Sequence, residues 1–420
     1  MIVPPPLKDD CFALPPGVYW TPVDEALTRL RQRLRPVTQV ETVPVAKALG
    51  RVLAQDVHAC RSNPPAPNAA VDGYGFAHAA LGVPPHHLPL HPGRAAAGTP
   101  FEGTVPAGHA LRILTGAMLP EGIDTVVLEE DVAVDETGAI AFQGGIGRGA
   151  NTRQAGEDVA TGDLALPAGH VLRPHDFALL TALGVIEVQV RKRLRVGILS
   201  TGDELVEPGN EAGPDRIFDA NRPMLLALAE IWGFEPIDLG RAPDRRKAVQ
   251  GCLQRAARRT DAILTSGGAS AGDEDHLSAV LRTYGTLNDW RIAMKPGRPL
   301  ALAMWQGVPV FGLPGNPVAA FVCALIFARP ALTLLSGAGW TQPLAVSVPA
   351  AFEKRKKAGR REYLRARLDA QGRAQVFHSE GSGRISGLSW AEGLIELPDG
   401  EMRVVEDTPV RFLPYSGFGF

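Results

Sequence analysis

The sequence predicts a multidomain protein of α/β plus β class. Three observations carry this. The chain has 420 residues, more than one ordinary core supports. At Arg195 the texture switches from short β-like runs to alternating strands and helices, and roughly the last eighty residues return to β texture.

The elements follow in order. After a proline-rich arm, TPVDEALTRLRQRL offers Thr21 as N-cap, Pro22 at the first helical position, and Val23, Leu27, Leu30 and Leu34 along one face, which predicts an amphipathic helix. From about residue 55 to 190, runs such as LRILTG, DTVVLEEDVAV and GAIAFQGG stand between turn signals and predict a β-rich region. PAGHALR at Pro106 and PAGHVLR at Pro167 echo each other. Two copies are too few for a solenoid, and hairpins are expected there. HDFALLTALG predicts a helix closed by Gly184.

From Arg195, RVGILS reads as a buried strand. NRPMLLALAEIWG reads as a helix with Met224, Leu225, Leu228, Ile231 and Trp232 on one face, and EPIDLG as the next strand. DRRKAVQGCLQRAARR is a helix using Val249, Cys252, Leu253 and Ala256. Then come strand DAILT, a glycine loop, helix HLSAVLRTYG, strands LALAMW and VPVFGL, and a helix from Pro317. This is a doubly wound α/β domain over roughly 193–337, with its ligand expected at the carboxyl ends of the strands. The remainder is expected to form a small separate barrel or sandwich.

Composition excludes several function classes. A formal net charge of −2 argues against a global nucleic-acid or membrane field. Cys11, Cys60, Cys252 and Cys323 lie far apart without a CxxC pair, which fits reduced, buried thiols and no disulfide or zinc framework. MIVPPPLKDDCF lacks the basic and apolar regions of a signal peptide, and PVAAFVCALIFARPALTLL is interrupted by Arg329 and Pro330. A soluble cytoplasmic protein is expected.

The stretch TSGGASAGDED, Thr265 to Asp275, joins two opposed chemistries. Thr265, Ser266, Gly267, Gly268 and Ser270 suit a loop that wraps backbone N–H groups around an anion, although such a turn also serves strand-to-helix geometry alone. Asp273, Glu274 and Asp275 repel phosphate. GLPGNPVAAFV adds a second helix start, with Asn316 as N-cap and Pro317 at the first helical position after Pro314. LSTGDEL brings Asp203 and Glu204, and Asp244 opens another helix. MKPGRP supplies Lys295 and Arg298, with Arg291 just before. A hard divalent cation such as Mg²⁺ takes oxygen ligands and makes carboxylate and phosphate co-ligands, so these loops fit a site for metal plus a phosphorylated substrate. His86, His87 and His91 are expected in a solvated loop, and EKRKKAGRRE, Glu353 to Glu362, as a solvated hairpin or a local anion contact.

NAAVDGYG, LTGAMLPEGIDTVVLEE, TRQAGEDVATGD, LSTGDELVEPG, TSGGASAGDEDH, MKPGRP and GLPGNPVAAF stand in the order found in molybdopterin molybdenumtransferases. Over nearly its whole length from Thr21 the chain resembles this MoeA family, which is related to the E domains of gephyrin and of the plant molybdenum insertase. The resemblance implies a discontinuous subdomain I of about 18–54 and 152–192, an inserted β-rich subdomain II of 55–151, a molybdopterin-binding α/β subdomain III of 193–337, and a small C-terminal β-barrel of 338–420. It implies insertion of molybdate into adenylylated molybdopterin, with Mg²⁺-dependent release of AMP. The implied catalytic residues are Asp72, Thr115, Asp158, Glu204, Asp244, Asp275, Pro314 and Pro317, with Glu204, Asp244 and Asp275 on the metal. Arg291, Lys295, Arg298, Asn316, Arg365 and Ser382 are implied in substrate binding, beside the Thr265–Ser270 loop.

The same resemblance implies a cytoplasmic homodimer in which the inserted subdomain of one subunit completes the site of the other, bringing Asp72 and Thr115 near it. A molybdopterin adenylyltransferase would act upstream, and molybdoenzymes or cofactor-maturation proteins downstream. Departures are Ala69-Ala70-Val71 where the family has Ser-Ala-Met, Arg291 where it often has Lys, and Ala271 where it has Val. Two other readings remain open from sequence, an adenylyltransferase built on a related α/β domain and a non-catalytic scaffold like gephyrin.

Overall fold

The structure, a computed structural model, describes residues 20–267, 276–297 and 299–420, with the backbone alone over 287–290 and at 299. The chain divides into two compact units, Thr42–Val190 and the residues up to Glu41 together with Arg191–Phe420.

The second unit contains the α/β domain. Its strands are β1 (Arg195–Thr201), β2 (Glu235–Ala242), β3 (Ala262–Ser266), β4 (Thr286–Arg291), β5 (Pro299–Trp305) and β6 (Val308–Leu313). They form one sheet in the order β2-β1-β3-β6-β5-β4. Its helices are α1 (Asn221–Ile231), α2 (Arg246–Ala257), α3 (His276–Tyr284) and a long apolar helix α4 (Pro317–Ser336). Side chains alternate across the sheet. Ile198 and Leu264 face a core shared with Leu225, Leu228 and Phe327, whereas Leu199 and Ile263 face one shared with Val249, Leu253 and Val280. Both faces are therefore covered, which is why these strands read as unbroken apolar runs. Helix α4 is long enough to cross a bilayer, but 83% of its apolar window is buried inside the protein.

Strand direction, left open by the sequence, is decided here, and several expectations are corrected. The sheet is mixed: β2, β1, β3, β6 and β4 run one way, whereas β5 runs the other, antiparallel to both its neighbours β6 and β4. The cause is a two-residue turn, Gln306 at φ 50° and Gly307 at φ 83°, which leaves no crossover between β5 and β6. The first helix runs Val23–Arg33, one residue later than expected. Thr21 does not cap it, because its N–H donates to the Arg291 carbonyl at 2.8 Å and its backbone bridges to Ile292. Ile231 is 53% exposed, as it lies at the end of α1 beyond the packed face.

The C-terminal part pairs along the path Met294–Lys295, Arg361–Leu368, Gly393–Leu397, Pro409–Pro414 and Val346–Pro349, with Ala374–Val376 beside Arg361–Leu368. Among the described residues this path has two ends, so it is an open sheet and not the expected barrel. A second pair, Lys354–Lys356 with Met402–Val404, packs on the same core through Phe352, Val404 and Met402. The basic run is accordingly not a solvated hairpin, since Lys356 is buried and donates to the Gly400 carbonyl at 2.9 Å.

In the Thr42–Val190 unit one core joins Val45, Leu53 and Val57 to Leu166, Leu180 and Val190, while residues between them form cores of their own around Leu111, Ile113, Phe76 and Phe142. Leu90–Ala95, Ala110–Ile113, Gly73–Phe76 and Thr125–Leu128 make a four-stranded sheet. The echoed PAGH segments are turns, one preceding strand Ala110–Ile113 and one following strand Leu164–Leu166. The histidine cluster lies on strands, not in a solvated loop. His86 is buried in the strand His86–Leu88, with its ring centroid 5.1 Å from that of Phe142.

Candidate functional site

The order β2-β1-β3 places a switch in winding direction between β1 and β3, where a crevice opens at the strand carboxyl ends. The sequence motifs meet there. Gly267 closes β3 at φ +86°, a conformation an L side chain rarely adopts, and a Cβ on it would stand 2.6 Å from the Thr201 carbonyl oxygen of the TGDE turn. A Cβ on Gly315 would lie 3.7 Å from the Gly267 Cα, so the LPGNP turn is the third wall. Gly297 of the KPG turn completes the set: a Cβ there would meet Cys323 Sγ at 2.9 Å and Pro314 Cγ at 3.4 Å.

One residue missed by sequence reasoning ties this crevice together. Asn221, first in α1, donates from Nδ2 to Ser266 Oγ at 2.6 Å and to the Gly315 carbonyl oxygen at 2.7 Å. The available signal was an asparagine opening an amphipathic helix directly after the FDA segment. Around it, Asn221 Oδ1, Asn316 Oδ1, Thr265 Oγ1 and Ser200 Oγ are buried with no hydrogen-bond partner among the described residues. Buried polar atoms are seldom left unpaired without a role, and four at one sheet edge mark a place for a polar ligand.

The acidic residues sit beside this crevice. Asp203 and Asp244 cap each other: Asp203 N–H donates to Asp244 Oδ2 at 3.1 Å, and Asp244 N–H to Asp203 Oδ1 at 3.3 Å. Asp244 stands before α2 and does not cap it. Arg241 donates to the Gly202 carbonyl at 3.0 Å, and the Glu204 carbonyl accepts from Ile217 N–H at 2.9 Å, so the turn is fixed while the Glu204 side chain is exposed. Beneath it, buried Arg222 joins Asp219 at 3.2 Å, Asp238 at 2.6 Å and Glu207, and these carboxylates hold its guanidinium in the charged form against the cost of burial.

Among the described residues no group of three or more His, Cys, Asp and Glu could hold a metal ion. Asp203 and Asp244 nevertheless bring two carboxylates onto facing turns, and Glu204 follows Asp203 in the chain, so the oxygen donors here come from neighbouring loops. Gly268, Ser270, Asp275 and Arg298 lie outside the described residues.

A cavity of about 610 Å³ continues from the crevice, lined by Lys295, Gly297, Pro314, Asn316, Glu380 and Ser382 among others. Ser382 belongs to a turn whose Gly383 would place a Cβ 3.9 Å from Asn316 Nδ2. Arg365 shapes that turn instead of facing the cavity. It is buried, donates to the carbonyls of Ser379, Gly381 and Arg384, and stacks on Phe377 at 4.9 Å. Lys295 Nζ is 2.6 Å from Glu380 Oε2. Arg291 ends β4, with its carbonyl held by Thr21.

The remaining predicted residues belong to the other unit. Asp72 and Thr115 are brought together there: Asp72 Oδ1 accepts from both Thr115 N–H and Thr115 Oγ1 at 2.6 Å, and these two bonds hold its carboxyl below the usual aspartate value. Asp158 stands on a different loop, where its Oδ2 accepts from Asn63 at 3.0 Å.

Three family models match the chain. They are the MoeA N-terminal region (domain I and II) over residues 21–184, the "Probable molybdopterin binding domain" over 197–334, and the MoeA C-terminal region (domain IV) over 347–415. The chain is 37% identical to a molybdopterin molybdenumtransferase of Haemophilus influenzae, over 84% of this chain and 88% of that protein. It is 32% identical to molybdopterin molybdenumtransferase 2 of Mycobacterium tuberculosis, over 92% and 96%. A crystal structure of a molybdopterin biosynthesis MoeA protein from Pyrococcus horikoshii superposes with a TM-score of 0.82 at 29% identity, covering 94% of this chain and all of that one.

Proposed function

The chain belongs to the MoeA family of molybdopterin molybdenumtransferases, and from that membership we propose that it joins molybdate to adenylylated molybdopterin with release of AMP, assisted by Mg²⁺. The coarser role is that of a transferase that inserts molybdenum into molybdopterin during molybdenum cofactor biosynthesis. The observation that carries the finer reading is the meeting of four glycine-containing turns at the β1–β3 crevice, lined by buried polar atoms that lack partners among the described residues.

In this reading the turn from Thr265 holds the phosphate of the pterin through backbone N–H groups, with Lys295, Arg298 and Arg291 supplying positive charge. Asn221 keeps Ser266 and Gly315 in register, so the phosphate-binding turn and the LPGNP turn move as one. Asp244, Glu204 and Asp275 would hold Mg²⁺, which when bound neutralises the phosphoanhydride and the leaving AMP. Pro314, Asn316 and Ser382 line the cavity that would take molybdate, and Pro317 opens the helix that follows. The dithiolene sulfurs of the substrate become the molybdenum ligands, which fits a chain whose Cys323 is buried, with its thiol pushed up to about 12 by desolvation. Asp72, Thr115 and Asp158 are proposed catalytic groups of the other unit. We further propose a cytoplasmic homodimer divided into the four subdomains expected from sequence. It would receive its substrate from a molybdopterin adenylyltransferase and hand its product to molybdoenzymes or cofactor-maturation proteins.

The test is a single-turnover reaction of full-length protein with adenylylated molybdopterin, molybdate and Mg²⁺, following AMP. AMP release that needs both molybdate and Mg²⁺ supports the proposal. ATP consumption with pyrophosphate release would point to adenylyl transfer instead, and no turnover of either kind to a scaffold.

A further inference from the structure

Two lysines converge on one carboxylate at the edge of the cavity. Glu380 Oε2 is 2.6 Å from Lys295 Nζ, and Glu380 Oε1 accepts from Lys354 Nζ. Lys354 also has Glu362 at 3.1 Å, so it stays partly compensated if Glu380 leaves. The lysine side chains are 20% and 12% exposed, the Glu380 side chain 43%. The carboxylate is therefore the accessible member, laid over two less accessible ammonium groups. It also stands between two cavities, the one of about 610 Å³ and a smaller one of about 220 Å³, and both are lined by Lys295, Pro296 and Glu380.

We propose that Glu380 is an internal stand-in for the oxyanion substrate: its carboxylate occupies a seat formed by Lys295 and Lys354, and an incoming tetrahedral dianion displaces it. This rests on the reading of the cavity as the molybdate site and adds Lys354 to the residues that bind. When the seat holds no substrate, the carboxylate compensates two lysines that would otherwise repel each other in a partly desolvated place. A dianion gains more from the pair than a monoanion does, so the seat discriminates by charge as well as by size. Because Arg365 anchors the turn through the Ser379, Gly381 and Arg384 carbonyls, Glu380 can swing out by side-chain rotation while its backbone stays in place.

The test is calorimetric titration of sodium molybdate into the full-length protein and its variants. Glu380→Gln is expected to bind molybdate about tenfold more tightly, and Lys354→Gln about tenfold more weakly, the scale of one partly screened charge. Unchanged or weaker binding by Glu380→Gln overturns the stand-in. If that variant does not fold, Glu380→Asp, which keeps the charge and withdraws it by one methylene, is expected to bind more tightly than wild type, and unchanged affinity there overturns the proposal. Lys295→Gln separates the two levels. Lost binding with no change in the Glu380 and Lys354 variants sinks the stand-in alone, whereas wild-type binding by Lys295→Gln removes the molybdate site itself.

Discussion

Asn221 Nδ2 donates to Ser266 Oγ at 2.6 Å, and the same nitrogen reaches the Gly315 carbonyl oxygen at 2.7 Å. One buried amide thus links a helix start, the turn after β3 and the turn after β6. These are the three pieces of backbone that border the crevice.

Replacing Asn221 by Ala removes both bonds and leaves Ser266 and Gly315 short of a partner. Thermal and urea unfolding of the full chain should show a loss of about 1–3 kcal/mol. The KM for the pterin substrate should rise as the two turns separate. Unchanged values for both would mean that the amide does not hold the site.

Gly267→Ala and Gly315→Ala form a matched pair. The first puts a Cβ 2.6 Å from the Thr201 carbonyl at φ +86°, the second only in ordinary contact at 3.7 Å from Gly267 Cα. Gly267→Ala should cost more than about 1 kcal/mol and abolish most turnover, while Gly315→Ala stays within a few tenths in stability. Equal effects on unfolding would contradict the described backbone.

Asp244→Asn retains an acceptor for the Asp203 N–H but loses a charge. Its fold should survive, and the Mg²⁺ concentration for half-maximal AMP release should rise at least about tenfold. A superimposable Mg²⁺ titration would take Asp244 out of the metal site.

Asp72 is exposed, so it can be changed with little cost to folding. Asp72→Asn keeps one acceptor for Thr115 and should unfold at nearly the wild-type temperature, with turnover reduced about 10²-fold. A fall in stability matching the fall in turnover would mark it as structural.

The Glu380–Lys354 pair makes a signed prediction for pH. Burial raises the Glu380 carboxyl, but Lys295 and Lys354 outweigh it, so the net shift is below the ordinary 4.5. Burial lowers the Lys354 ammonium, and Glu380 and Glu362 outweigh that, so its net shift is above the ordinary 10.5. The stability each contributes is complete above 4.5 for the glutamate and below 10.5 for the lysine. It is lost as pH falls through the lowered glutamate value or rises through the raised lysine value. The difference in melting temperature between wild type and Glu380→Gln should be flat between those limits and shrink outside them. A difference that changes near neutrality would contradict the assignment.

Much of the α/β domain was legible because its signals are local. RVGILS, DAILT and VPVFGL are apolar runs ended by turn residues, and each lies where the structure puts a strand. The direction of β5 was open to the same reading, since two strands joined only by Gln306 and Gly307 leave no room for a crossover helix. The buried strand of His86 and the buried Lys356 were misread as solvated because polarity reports a side chain's preference and not the partners waiting for it.

By itself the sequence determined the periodicities, the turn chemistry and the order of the motifs, which suffice for the domain class and the family. Only the tertiary structure decided which side chains meet and which are already engaged. Asn221 finds Ser266 across 45 residues and Gly315 across 94, Lys295 finds Glu380 across 85, and Arg365 gives its guanidinium to backbone carbonyls. The physical reason is one of range. Hydrophobic spacing and backbone dihedrals act between neighbours a few positions apart, whereas a hydrogen bond or ion pair between distant residues exists only after the chain has closed the loop between them.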